Sequence, residues 1–423
     1  MPCERKCGLK QKANDNALTV RKVMEKGRHL RFKNAVAFPV RRWLKSNTEF
    51  TFDGQLPNKD LEPAIIATNH ASVYDFLFVS EPLWYRTLSY VTSEHILRVR
   101  PWGSLLNRYV SIIPHKKGGK ASRTAIRILE KLAIREDVYI AVEGEQTWNG
   151  ITMDIKPGNG KLVKKSGAAL ITFRIEGSYL LRPRWAKNLR RGKVNGKVVN
   201  IYTPEMLANM TSEAIEEAIA RDLYFDIWKW QKEQQEPNRY VCKKGGLAEG
   251  LERAVCSCPS CGNIGSLSTE GDEIKCSCGF RTRFSESGFF EPAEPVETIV
   301  EWEKLDEETI AKAIKEAKDG DEIFADEDTH LYVIDKYHNE NETAKGRLSL
   351  ECREGSIVLA VDIESTTLDK VDSMTMVQAN RLLFSIDRDY FEIRSDAANL
   401  RKYMQAFNLN KRDSRPDTSD GSE

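Results

Sequence analysis

Residues 63–76 read PAIIATNHASVYDF. An apolar run up to Thr68 gives way to a polar turn, and a new apolar segment begins around Tyr74 and Phe76. The run reads as a buried strand and the segment after it as a helix. His70 and Asp75 lie five positions apart. On one continuous helix, residues five apart point about 140° away from each other. They meet only if His70 sits in the turn that ends the strand and Asp75 in the first turn of the helix. Asn69 and Ser72 are residue types that cap such a helix. The carboxyl ends of strands are also where α/β sheets carry their sites.

The same alternation continues on both sides of this stretch. TLSYVT, YVSIIP, DVYIAVEG and ALITFRIEG read as strands, while GSLLNRY and ASRTAIRILEKLAIRE read as helices. Strands alternating with helices predict an α/β domain with a largely parallel sheet. RRGKVNGKVVNIY is a hairpin candidate turning at Asn195-Gly196. SEAIEEAIARDLYFDIWKWQKEQQ reads as one amphipathic helix closing the domain. Residues 240–290 are rich in Gly and Cys. Beyond the linker EPAEPVE come one helix, several antiparallel strands and a last helix, AANLRKYMQAF, a succession similar in outline to pleckstrin-homology domains. The predicted organisation is a basic lead (1–34), the α/β domain (35–238), a Cys-rich module (239–292), a C-terminal α+β domain (298–410) and a disordered tail (411–423).

A composition of 40% hydrophobic and 30% charged residues suits a soluble globular chain of 423 residues with more than one core. No stretch approaches the roughly 18 consecutive apolar residues of a membrane span. The N-terminus lacks the apolar core of an export signal, which predicts a cytoplasmic protein. Net charge is +1, but residues 1–50 hold 13 Lys+Arg against 4 Asp+Glu, while residues 291–423 hold 17 against 32. A basic lead points to an anionic partner. Bases alternate with Val36, Phe38, Val40, Trp43 and Leu44 in the pattern of a segment lying on a membrane surface. Few bases and no stacking platform accompany the Cys-rich module, so nucleic acid is not an expected partner.

The chain has no GxSxG elbow, so a His–Asp dyad suits activation of a substrate hydroxyl. A neutral imidazole takes the proton while the carboxylate fixes its tautomer. Asn69-His70-Ala71-Ser72-Val73-Tyr74-Asp75 resembles the first block of the glycerolipid acyltransferases, the 1-acyl-glycerol-3-phosphate acyltransferase family. Val110 to Lys117 is similar to the second block, with Lys116 or Lys117 in place of the usual Arg. Val142-Glu143-Gly144-Glu145-Gln146-Thr147 resembles the third, with Gln146 where the family has Arg. Lys156-Pro157-Gly158 and the strand from Leu170 to Ile175 complete the order, the latter without the family's proline. The resemblance covers about residues 35 to 235.

It implies an O-acyltransferase fold and acyl transfer from acyl-CoA or acyl-carrier protein to a lysophospholipid hydroxyl. His70 and Asp75 would be catalytic. Asn69, Ser72, Lys116, Lys117, Glu143, Gly144, Lys156 and Arg174 would bind substrate. Gln146 removes one positive charge from the implied phosphate site. A non-catalytic membrane-associated scaffold with degenerate blocks is the competing reading.

Five of the nine cysteines lie between Cys256 and Cys278. Without an export signal, such a cluster reads as a metal site. Cys258-Pro259-Ser260-Cys261-Gly262 has the form of a zinc knuckle, and Cys276 and Cys278 would complete a structural four-thiolate site. The second pair is separated by one residue where ribbons usually have two, so Cys256 is an alternative ligand.

Overall fold

The structure, a computed structural model, describes residues 27–98, 102–115, 122–335, 339–387 and 389–413. Its contacts divide the chain into two compact units. The first comprises residues up to 147, 151–178 and 193–226.

This unit opens with helix α1 (residues 27–47). Then follow β1 (Thr48–Asp53), β2 (Ala64–Thr68), α2 (Asp75–Ser80), β3 (Leu88–Ser93), α3 (Trp102–Tyr109), β4 (Ile112–His115), α4 (Ser122–Ala133) and β5 (Asp137–Ala141). After these come α5 (Asn159–Ser166), β6 (Ala169–Glu176), β7 (Arg190–Tyr202), α7 (Pro204–Ala208) and α8 (Ser212–Leu223), while α6 (Ser178–Leu181) after its first residue and the first three residues of β7 fall in the second unit. The strands run in the order β1-β7-β6-β2-β5-β3-β4. β6, β2, β5, β3 and β4 are parallel, and β7 pairs antiparallel with β6. The sheet is therefore mixed with a parallel centre.

β2 is buried along its whole length, which is why it reads as an unbroken apolar run. Its alternate residues Ile65 and Ala67 join Val138, Ile140, Leu170, Ile128, Ile215 and Ile219 in one core. α4 buries Thr124, Ile128 and Leu132 at four-residue spacing, and the last two join that core. Burying each aliphatic side chain of this kind contributes about 1.5–3 kcal/mol.

Two expectations are corrected here. The sequence RRGKVNGKVVNIY is not a hairpin but the single strand β7, in which Asn195 pairs with Glu176 and Gly196 with Ile175. The Asn195 amide donates to Asp53 and to the buried Glu176, so its polar side chain serves neighbouring carboxylates and not a turn. A Cβ at position 196 would lie 2.8 Å from the Phe173 ring, so the glycine permits close packing there. The long closing helix also breaks. α8 ends at Tyr224, whose ψ is 127°. Phe225 then accepts the Thr152 N–H at its carbonyl and donates its own N–H to the Thr152 hydroxyl, in place of a further helical turn.

The second unit comprises residues 148–150, 179–192 and 227–423. It contains α9 (Ile227–Lys232) and β8 (Val241–Cys242), which pairs with the first residues of β7. A four-stranded antiparallel sheet follows: β9 (Leu267–Glu270), β10 (Glu273–Cys276), β11 (Arg281–Phe284) and β12 (Phe290–Glu291). Helix α10 (Ile299–Glu316) starts at Thr298, whose hydroxyl caps the Glu301 amide. Its Trp302 is fully buried against Phe280 and Phe290.

Seven antiparallel strands complete the unit: β13 (Glu322–Ile334), β14 (Glu340–Arg353), β15 (Ser356–Val361), β16 (Glu364–Thr367), β17 (Ser373–Val377), β18 (Arg381–Ile386) and β19 (Asp389–Arg394). Their order, β16-β15-β14-β13-β19-β18-β17, brings the last strand back beside the first. α11 (Leu400–Asp413) packs on this sheet and extends three residues into the stretch read as a tail.

Candidate active site

β2, β5 and β6 are adjacent and parallel, so the segments leaving their carboxyl ends come together. His70 lies in the turn after β2, and Asp75 is the first residue of α2. His70 Nδ1 is 2.9 Å from Asp75 Oδ2. The same Oδ2 accepts the N–H groups of Ala71 (2.7 Å) and Ser72 (2.9 Å). Oδ1 accepts the Ser178 hydroxyl at 2.8 Å. Asp75 is 0% exposed, whereas the His70 side chain is 24% exposed.

The tautomer follows from this pattern. Oδ2 already accepts from two main-chain donors, so His70 Nδ1 carries the proton, and Nε2 presents a lone pair. The sequence predicts a cap from Asn69 or Ser72, and neither residue caps the helix. Its N-cap is Tyr74, whose side chain does not cap the helix, and the Asp75 carboxylate reaches back to the preceding amides instead.

Asn69 is buried and clamps β2 to β6: its Oδ1 accepts from Ile175 N at 2.7 Å and its Nδ2 donates to Ile175 O at 2.8 Å. Ser72 is fully buried. Glu143, at the end of β5, is 1% exposed. Its two oxygens accept the backbone N–H groups of His70 (2.6 Å) and Met153 (2.7 Å). Glu143 thus holds the His70 main chain. Gly144 faces the Lys156 side chain, which is exposed. Arg174 donates to Glu176 (3.0 Å) and to the Asp222 carbonyl (3.4 Å). His115, the last residue of β4, is three strand spacings from β2, about 14 Å. Lys116 and Lys117 lie outside the described residues.

Two further residues support the dyad. Ser178 is 103 residues from Asp75. It is brought back by Gly177, whose φ of +84° turns the chain sharply at the end of β6. Thr147 donates its N–H to the His70 carbonyl at 2.9 Å.

Burial pushes the Glu143 carboxyl up to about 8, against the pull of the two amides it accepts from. Between 4.5, its ordinary value, and about 8 the folded chain holds a proton that the unfolded chain has released. The contribution of this group to stability is therefore full below the ordinary value and is lost as pH rises through the folded one. Glu143→Gln sets an amide NH2 against one of two main-chain N–H groups. It is expected to cost about 1–3 kcal/mol, to lower kcat, and to flatten the fall in stability between pH 5 and pH 8. Urea unfolding of both proteins at the two pH values checks this.

In the second unit, the sulfurs of Cys258, Cys261, Cys276 and Cys278 all lie within 4.8 Å of one another. Cys258 and Cys278 are 3.7 Å apart, and Cys261 and Cys276 are 3.8 Å apart. Tetrahedral thiolates at about 2.3 Å from zinc are separated by about 3.8 Å, so this donor set fits that ion. Cys256 lies outside the group, which corrects the alternative ligand. It is fully buried, and its backbone N–H donates to Asp306.

Residues 48–176 match the family profile described as Acyltransferase. A solved structure, the 1-acyl-sn-glycerophosphate (LPA) acyltransferase PlsC from Thermotoga maritima, is similar with a TM-score of 0.38 and 19% identity, over 50% of this chain and 80% of that one. No curated protein matches the chain. Residues 48–176, which span β1 to β6 and hold both His70 and Asp75, belong to the Acyltransferase family.

Proposed function

We propose that this protein transfers a fatty acyl group from acyl-CoA or acyl-carrier protein to the free hydroxyl of a lysophospholipid, an acceptor of the 1-acyl-glycerol-3-phosphate type. The observation that carries this reading is the 2.9 Å contact between His70 Nδ1 and buried Asp75, with the imidazole itself partly open to solvent.

His70 Nε2 removes the proton of the acceptor hydroxyl as its oxygen attacks the thioester carbonyl carbon. Asp75 stabilises the imidazolium that forms. The tetrahedral intermediate then collapses, the C–S bond breaks, and the thiolate receives the proton from His70. Asn69, Ser72 and Glu143 shape this site from within the fold, because all three are buried. Of the cations implicated in phosphate binding, Arg174 is paired with Glu176, whereas Lys156 stands exposed beside Gly144. We assign the acceptor phosphate to Lys156, together with Lys116 and Lys117.

The protein acts at the cytoplasmic face of a membrane as a peripheral enzyme. Among the described residues no helix is long and apolar enough to cross a membrane. Arg31, Phe38, Arg42 and Lys45 fall on one face of α1 by their spacing and are all exposed, Phe38 to 75%. Bases around one exposed ring suit an anionic lipid surface. The four cysteines hold a structural zinc, because a closed thiolate set leaves no position for substrate.

The test is transfer of radiolabelled acyl groups from each donor to a panel of lysophospholipids and glycerol-3-phosphate. Product with one acceptor class supports the reading. Absence of product from every pair, with folded and zinc-loaded protein, favours the scaffold.

A further inference from the structure

Each half of the dyad is supported by a residue whose immediate successor in the chain belongs to the second unit. Thr147 donates to the His70 carbonyl, and the next residue is Trp148. Ser178 donates to Asp75, and the next residue is Tyr179. Those two successors are bonded to each other: the Tyr179 hydroxyl donates to the Trp148 carbonyl at 2.7 Å. The same hydroxyl accepts the Trp185 Nε1–H at 3.2 Å.

Tyr179 is 1% exposed, so water cannot replace either bond readily. The packing around the ring is equally close. A Cβ on Gly150 would lie 2.8 Å from Tyr179 Cδ1, and Gly150 has a φ of +86°. The guanidinium groups of Arg184 and Arg401 lie over the Trp148 ring, 4.1 and 4.8 Å from its centroid.

We propose that Tyr179 is a positioning residue for acyl transfer: its hydroxyl, bonded to Trp148, fixes the loop that holds His70 relative to the turn that holds Asp75. This rests on the reading of His70 and Asp75 as the catalytic dyad. The Tyr179–Trp148 bond closes a ring of contacts, from His70 through Thr147, Trp148, Tyr179 and Ser178 to Asp75. Opening it frees one buried carbonyl and lets both supports drift. Displacements of about 1 Å cost rates of about 10²-fold, so a drift of tenths of an ångström is expected to cost about tenfold in kcat.

The experiment compares full-chain Tyr179→Phe with Tyr403→Phe. Tyr403 is also a buried tyrosine of the second unit, and its hydroxyl bonds Asp326 and the Leu348 carbonyl. Both variants lose one buried hydroxyl. Tyr179→Phe is expected to lower kcat about tenfold with KM within twofold, while Tyr403→Phe leaves both unchanged at a similar loss of Tm. In 15N-histidine spectra the His70 ring signals, identified by their loss in His70→Ala, are expected to shift in Tyr179→Phe alone. Unchanged kcat and unchanged His70 signals in folded Tyr179→Phe overturn the proposal. So do equal effects of the two variants. If wild type transfers no acyl group, the proposed function fails and the His70 signals still decide the positioning role.

Discussion

Asp75→Asn is expected to leave the chain folded and to lower acyl transfer about 10²- to 10⁴-fold, the range typical of a lost general-base system. The reason lies in which partners an amide can keep. Oδ2 accepts three donors, from His70, Ala71 and Ser72, while Oδ1 accepts only the Ser178 hydroxyl. An asparagine can place its carbonyl at the first position and its NH2 toward Ser178, whose oxygen can accept. The hydrogen bonds survive and the negative charge does not, so nothing stabilises the imidazolium. Asp75→Ala differs, because it strands the buried amides of Ala71 and Ser72 at about 1–3 kcal/mol each. Thermal melts and kcat on both variants separate these effects. Asp75→Asn activity within fivefold of wild type contradicts the assigned role.

The second large effect concerns the cysteine module. The purified chain is expected to carry one zinc ion, and its removal to unfold the segment from Cys256 to Glu291. Free energies of about 10–16 kcal/mol for structural zinc in small domains exceed what four short strands supply alone. The consequence reaches the buried Trp302, which packs on Phe280 and Phe290. Chelation should therefore raise hydrogen exchange across β9 to β12 and shift tryptophan emission to the red. Cys258→Ser should lose the metal, whereas Cys256→Ser should keep it. Equal metal content in those two variants contradicts the ligand set.

Contrasts between particular residues show what a single sequence discloses. The His70–Asp75 geometry was legible because strand, turn and helix are local, and five residues can be placed by hand. β2, β5 and β6 were legible because strands buried on both faces of a sheet are largely apolar. The four-cysteine group was legible through its spacing. Asn195-Gly196 misled because a turn-forming pair also suits a strand where a buried amide and a close ring contact are needed. The end of α8 is set by Thr152, far away in sequence, so helical periodicity ran past it. The contact of Ser178 with Asp75 and those of Glu143 with the His70 and Met153 amides depend on three strands lying side by side, which no local pattern reveals.

The measurement that bears most directly on the central claim is acyl transfer by wild type and His70→Ala, each folded and metal-loaded, from both thioester donors to the lysophospholipid panel. Labelled phospholipid is expected from wild type, with a loss of about 10³-fold or more in His70→Ala. Product formed by His70→Ala at a rate near wild type would contradict it.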